Sequence, residues 1–106
     1  PKTTSSTAEK LPEATPDEIL NTVLQGDRFY REGMKHLLQS DPARNPENWG
    51  KENLKALDLF RKAATAYATA QEAYPENEKI PQALLDRFRD TQIRMSLCRK
   101  RGVSRR

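Results

Sequence analysis

Apolar residues recur along this chain at steps of three and four, the spacing that places side chains on one face of an α-helix. Thr15-Pro16-Asp17-Glu18 begins the first such segment, with a capping threonine, a proline at the first helical position and a glutamate three residues after the cap. We therefore expect a helix from residue 16 to about Gln39, ending before Pro42. Its apolar face comprises Ile19, Val23, Gly26, Tyr30, Gly33 and Leu37.

Two further segments carry the same period. The second runs from about Lys51 to Tyr74 and stops at Pro75, and the third runs from Pro81 to about Lys100, with Gly102 as a stop signal. The second face comprises Ala56, Phe60, Ala63, Tyr67, Ala70 and Tyr74, and the third Leu84, Phe88, Thr91, Met95 and Cys98. With no strand signal in the sequence, this pattern predicts an all-α protein, an antiparallel bundle of three helices.

The two glycines on the first apolar face predict a close helix contact. Glycine inside a helix costs about 1 kcal/mol relative to alanine, so Gly26 and Gly33 require a structural reason. The simplest reason is that another helix approaches where a Cβ atom would obstruct it. The second face alternates small and large residues, so its aromatic rings are expected to pack against these glycines.

These residues resemble the tetratricopeptide repeats (TPRs), which are paired antiparallel helices that usually bind other proteins. The resemblance covers residues 16–75 as one repeat with a long connection. The matching residues are Gly26, Phe29, Tyr30 and Gly33 in the first helix and Ala56, Phe60 and Ala63 in the second. The resemblance implies a TPR-like hairpin, covered by the third helix, that acts as a protein-interaction or scaffold module.

The family binds its ligands mainly on first-helix surfaces. The resemblance therefore implies that the outward polar residues beside the matching motif, Asp27, Arg28 and Arg31, contact a partner. Two alternatives remain open. The chain is also similar to the freestanding three-helix microtubule-interacting and trafficking domains, which bind partner helices between their own, and it is compatible with a structural spacer inside a larger protein.

Three apolar residues outside the predicted core are further candidates for partner contacts. Trp49 precedes the second helix, where it either covers one end of the hairpin or anchors a partner, since tryptophan is enriched at interface hot spots. Ile93 and Leu97 lie on the side of the third helix opposite Leu84. They predict a surface for self-association or for another protein.

Charge is unevenly distributed over a chain whose net charge is +4. Residues 87–106 carry eight Arg or Lys side chains against Asp90 alone, a net +7 that leaves −3 for the rest. The candidate anion-binding residues are Arg99, Lys100, Arg101, Arg105 and Arg106. They support an alternative function, binding to nucleic acid or another anionic surface. Nucleic acid is not the favoured partner, because no aromatic residue is interleaved for base stacking.

The composition of residues 1–15 and the single cysteine add little to the prediction of function. Residues 1–15 are rich in Ser, Thr, Lys, Glu and Pro and predict a flexible linker, with residues 16–101 as the three-helix domain and 102–106 as a basic frayed tail. No apolar run is long enough to predict a membrane span. The lone Cys98 excludes an internal disulfide and slightly favours a reducing compartment such as the cytoplasm.

The residue inventory does not favour an enzyme. His36 and Cys98 fall on different predicted helices with no third group to orient them, whereas a nucleophile and its base must be held at hydrogen-bond distance. No His or Cys spacing indicates a metal site. The sequence therefore predicts no catalytic residues, no metal and no cofactor.

Overall fold

The computed structural model describes residues 15–104. Within this range it contains three α-helices, α1 (Pro16–Leu38), α2 (Trp49–Glu72) and α3 (Gln82–Ser104), and no β-strand. The predicted all-α, three-helix architecture is confirmed. The predicted linker, apart from Thr15, lies outside the described residues.

The start of α1 is fixed by the predicted capping box. The Glu18 backbone N–H donates to Thr15 Oγ1 at 3.1 Å, and the Thr15 N–H donates to Glu18 Oε1 at 2.8 Å. Each bond satisfies a backbone donor that the first turn of a helix leaves without a partner. After α1, residues 41–48 form turns in which Asn45 Nδ2 donates to the Gln39 carbonyl at 2.9 Å.

The bounds of α2 and α3 differ slightly from the sequence expectation. α2 begins at Trp49 and ends at Glu72, two residues before each predicted end. α3 passes through Gly102 and continues to Ser104, so the prediction that Gly102 ends this helix was wrong. A Cβ atom at Gly102 would have Asn53 Nδ2 as its nearest neighbour, at 3.8 Å. Glycine is therefore not required there by a close contact.

The contact between α1 and α2 is as close as the two helical glycines predict. A Cβ atom added at Gly26 would lie 2.7 Å from Tyr67 Cε1, and one added at Gly33 would lie 2.8 Å from Phe60 Cε1. Both distances are shorter than carbon atoms tolerate, so each ring occupies the space that a side chain would fill. Ala56, Ala63 and Ala70 are fully buried beside these rings, which completes the predicted small-and-large pattern.

α3 covers α2 and runs antiparallel to it. Leu84 and Cys98 are buried against α2, and Asn53 near the start of α2 donates through Nδ2 to the Cys98 carbonyl near the end of α3, at 2.9 Å. Because α1 also runs antiparallel to α2, α1 and α3 point in the same direction. α2 lies between α1 and α3, so these two helices contact each other only over a small part of their surfaces.

Candidate interaction site

A cleft of about 270 Å³ opens between α1 and α3, and we refer to it as the tyrosine cleft. Tyr67 of α2 forms part of its lining, while α1 and α3 provide the walls. The lining residues are Asp27, Tyr30, Tyr67, Asp86, Arg87 and Asp90. All three helices thus contribute to a single recess lined by tyrosine, aspartate and arginine side chains.

Asp27 connects the three helices at one side of the tyrosine cleft. Its Oδ1 accepts a hydrogen bond of 2.5 Å from the Tyr67 hydroxyl, and its Oδ2 lies 3.4 Å from Arg87 Nη1. Asp27 follows the buried Gly26, so the close approach of α1 to α2 brings its carboxylate within reach of Tyr67. The side chain of Asp27 is largely buried, whereas about half of Arg87 remains exposed to solvent.

Tyr30 makes the second connection between α1 and α3. Its hydroxyl donates to Asp90 Oδ2, and the same carboxylate oxygen lies 3.8 Å from Arg94 Nε one turn later in α3. The Tyr30 ring packs against the Phe60 ring. Their centroids are 5.6 Å apart, in a tilted arrangement that aromatic pairs favour. This tyrosine therefore joins the apolar core to the polar wall.

Burial governs the ionisation of both tyrosines. Loss of solvent, reinforced by the hydrogen bond to Asp27, raises the pKa of Tyr67 well above its ordinary value. Burial and the hydrogen bond to Asp90 likewise raise the pKa of Tyr30. Both phenols are therefore neutral donors at physiological pH and hold their carboxylate partners in place.

Asp86, Arg87 and Asp90 offer hydrogen-bonding groups to a bound molecule. Asp86 accepts from Gln82 Nε2 at 2.9 Å, a bond within α3 that leaves further acceptor capacity on the carboxylate. A positively charged donor and negatively charged acceptors thus border one recess. This combination suits the backbone amides and the side chains of a peptide. Within residues 15–104, no group of three His, Cys, Asp or Glu side chains is arranged to hold a metal ion.

The three residues implied by the TPR resemblance occupy different environments. Arg28 and Arg31 are exposed on α1. Asp27 was expected to point outward, but it is half-buried between Tyr67 and Arg87. Arg31 lies one helical turn beyond Asp27 on the same side of α1, but it does not line the tyrosine cleft.

The apolar candidates are more exposed than core residues. Ile93 is 59% exposed and Leu97 is 39% exposed, as expected for residues opposite Leu84. Trp49 is half-buried at the first position of α2. Whether these three residues contact a partner stays a prediction.

The basic end of α3 divides into two environments. Arg99 and Lys100 are exposed, while Arg101 is half-buried and donates through Nη1 to the Ser40 hydroxyl. Ser40 is fully buried, so Arg101 helps to attach the end of α3 to the end of α1. Arg105 and Arg106 lie outside the described residues.

His36 and Cys98 make separate contacts in the structure. His36 Nδ1 lies 2.6 Å from Glu52 Oε1, and this hydrogen bond lowers the pKa of Glu52. The pair connects α1 to α2 near the connecting turns. Cys98 is buried in the contact between α2 and α3, as predicted, and burial raises the pKa of its thiol.

Asp86, Arg87, Asp90 and the two tyrosine hydroxyls were missed as site residues by sequence reasoning. The available signal was tyrosine rather than phenylalanine at Tyr30 on the first apolar face and at Tyr67 on the second. A buried hydroxyl requires a hydrogen-bond partner. The charged residues of α3 sit at helical spacing beside its apolar face. Nothing in the sequence pairs a particular carboxylate with a particular tyrosine.

Comparisons with protein families, with curated proteins and with solved structures found no match for this chain. Among the described residues, none of the helices combines the length and the apolar character needed to cross a membrane.

Proposed function

We propose that this chain is a non-enzymatic protein-interaction module of TPR-like design, which binds a peptide segment of a partner in the tyrosine cleft. The observation that carries the proposal is the cleft itself, a recess between two helices that run in the same direction and are bridged across it by polar side chains. The resemblance of residues 16–75 to TPR hairpins supports the same surface, because that family binds ligands on its first helices.

The chemistry of the tyrosine cleft favours a peptide over a small apolar ligand. Asp86 and Asp90 present carboxylate oxygens, and the half-exposed guanidinium of Arg87 presents N–H donors. A peptide backbone offers both donors and acceptors at regular intervals. The exposed apolar residues Ile93 and Leu97 of α3 extend the surface on which partner side chains would pack.

The alternative function, anion binding through the end of α3, has weaker support. Arg101 is occupied by Ser40, which leaves Arg99 and Lys100 as the exposed cations of that group among the described residues. Sequence-independent binding to nucleic acid depends on the number of phosphates neutralised. Two exposed cations provide a small part of what such binding requires.

The proposal can be tested by selecting peptides from a random display library against the folded protein. Selected peptides would be titrated into ¹⁵N-labelled protein, and the amide shifts would be mapped. We expect the largest shifts at Asp27, Arg31, Arg87 and Asp90. Arg87→Glu should weaken binding by about tenfold, equivalent to about 1.4 kcal/mol, because it reverses the charge of an exposed residue that lines the cleft.

Arg99→Glu is the matched control, since Arg99 is also exposed and the charge change is the same. Arg99 lies nine residues beyond Asp90 on α3, which corresponds to about 14 Å along the helix. The proposal would be contradicted by a library that yields no binder, by shifts confined to another surface, or by equal weakening from both variants.

A further inference from the structure

A second groove, of about 450 Å³, lies between α1 and α2 and shares no lining residue with the tyrosine cleft. We refer to it as the threonine groove. Its lining residues are Thr22, Gln25, Phe29, Arg61, Lys62, Thr65, Ala66 and Thr69. It is therefore a distinct surface of the hairpin, one to which α3 contributes no lining residue.

The threonine groove is about two helical turns long. The lining spans seven residues on α1, from Thr22 to Phe29, and eight on α2, from Arg61 to Thr69. At 1.5 Å per residue these spans correspond to about 10–12 Å. Two turns of a partner helix would present apolar side chains at i, i+3, i+4 and i+7 over the same length. The dimensions thus suit a short helical segment.

The groove offers apolar surface and cations, and two of its three threonine hydroxyls already donate to backbone carbonyls. Thr22 Oγ1 donates to the Glu18 carbonyl and Thr65 Oγ1 donates to the Arg61 carbonyl, both at 3.0 Å and both within their own helices. Phe29 is half-buried and Ala66 is buried, so the ring and the methyl group form apolar surface in the groove.

The charge of the groove is positive. Both charged lining residues are basic, Arg61 and Lys62. Lys62 Nζ lies 5.9 Å from the centroid of the Phe29 ring and 3.3 Å from Asp58 Oδ2. Arg61 is exposed and forms no ion pair with any residue in the described range.

The carboxylates beside the groove offset only part of this charge, because within residues 15–104 Lys62 is ion-paired and Arg61 is not. Asp58 is paired with Lys62, and Glu32 of α1 is paired with Lys35 at 3.1 Å. The Arg61 guanidinium is thus left with unused donors in a groove that also contains the Phe29 ring. A partner that presents carboxylates close to an apolar residue would complement this arrangement.

We propose that the threonine groove binds an acidic amphipathic helix of another protein. Apolar side chains of that helix pack on Phe29 and Ala66, and its carboxylates pair with Arg61 and Lys62. Nucleic acid fits less well, because the groove provides two cations while backbone binding draws on many phosphate contacts. This inference goes beyond the proposed function, since it concerns the opposite face of the hairpin.

The test uses a synthetic helical peptide of about 18 residues, long enough to form a helix in isolation, with leucines at i and i+4 flanked by glutamates. Fluorescence anisotropy of the labelled peptide measures its affinity for the full chain. The double variant Arg61→Glu/Lys62→Glu should weaken binding by at least about tenfold, because it replaces attraction by repulsion.

A matched control is available in the chain itself. Arg99→Glu/Lys100→Glu changes an identical exposed Arg-Lys pair at the end of α3 and produces the same net charge. This control should alter the affinity by less than about twofold, unless attraction depends on net charge alone. Circular dichroism would verify that both variants remain helical.

Three results would overturn the inference. The first is no binding of the peptide to the wild-type chain, and the second is equal weakening by the two double variants. The third is that a single-stranded oligonucleotide binds more tightly than the peptide and that the same groove variant abolishes this binding. That result would assign the groove to nucleic acid.

A peptide with asparagine in place of its leucines should also lose affinity, and unchanged affinity would contradict the role of Phe29. Arg87→Glu, at the tyrosine cleft, should leave all these affinities unchanged.

Discussion

The contact of α1 with α2 and the contact of α1 with α3 are built from different chemistry. The first is apolar and very close, since the rings of Tyr67 and Phe60 fill the space beside Gly26 and Gly33. The second includes polar bridges across an opening, with Asp27 joined to Arg87 and Tyr30 joined to Asp90.

The two contacts have different roles: the first stabilises the fold, and the second keeps the recess open. Buried apolar area and close packing contribute most of the free energy of folding, whereas partly exposed ion pairs contribute about 0–1 kcal/mol each. The contact of α1 with α2 therefore holds the hairpin together. The polar bridges keep α1 and α3 at a defined separation and leave the tyrosine cleft open between them.

The largest expected effect comes from removing a ring in the close contact. Phe60→Ala should lower the free energy of unfolding by about 3–5 kcal/mol, because Phe60 is fully buried and its loss leaves a cavity beside Gly33. Urea denaturation followed by circular dichroism measures this change. Leu54→Ala on the same helix is the control, and since Leu54 is 67% exposed it should cost much less. Similar losses for both variants would show that this contact does not dominate stability.

A smaller effect is expected from adding one methyl group to the close contact. Gly33→Ala introduces a Cβ atom 2.8 Å from Phe60 Cε1. Overpacking of this kind costs about 1–3 kcal/mol, of which about 1 kcal/mol is offset by the better helix propensity of alanine. We expect a net loss of up to about 2 kcal/mol in the free energy of unfolding, measured by urea denaturation.

Gly102→Ala separates the two contributions. Gly102 is also helical, but its nearest neighbour would lie at 3.8 Å, an ordinary contact distance. This variant should be neutral or up to about 1 kcal/mol more stable, because only the propensity changes. If Gly33→Ala stabilised the protein as much as Gly102→Ala does, the close contact would not be real.

The smallest effect concerns the polar bridges. Tyr67→Phe removes the hydroxyl that donates to Asp27 but keeps the ring, and we expect a loss of about 1 kcal/mol at neutral pH. The pKa of Tyr67 is raised in the folded protein, so its contribution is fully present below the unfolded value of about 10 and is lost as the pH rises above it. The difference in unfolding free energy between wild type and Tyr67→Phe should therefore shrink above about pH 10. A difference that stayed constant across this range would contradict the raised pKa of Tyr67, which arises from burial and from the hydrogen bond to Asp27.

Local sequence was sufficient for the helices and for the closest contact. The capping box of Thr15 and Glu18 formed as predicted, because both partners lie within one helical turn. Gly26 and Gly33 indicated a close neighbour, because glycine is unfavourable inside a helix unless space requires it. Gly102 shows the limit of that reasoning, since this glycine lies inside α3 without a close contact.

Residues from distant parts of the chain were paired only by the tertiary structure. Asp27 was expected at an outward position, and its contacts with Tyr67 and Arg87 bring together residues separated by 40 and 60 positions. Helical period predicts which face a residue occupies. It does not predict which carboxylate on one helix will meet which hydroxyl or guanidinium on another.

The sequence by itself determined the three helices, their apolar faces and the close approach of α1 to α2, because these depend on short-range periodicity, capping and the absence of a Cβ atom. The tertiary structure alone decided where α3 lies relative to α1, and with it the tyrosine cleft and the separate threonine groove. The physical reason is that apolar stripes are non-directional and permit several arrangements, whereas hydrogen bonds and ion pairs form only when packing has fixed distances and angles.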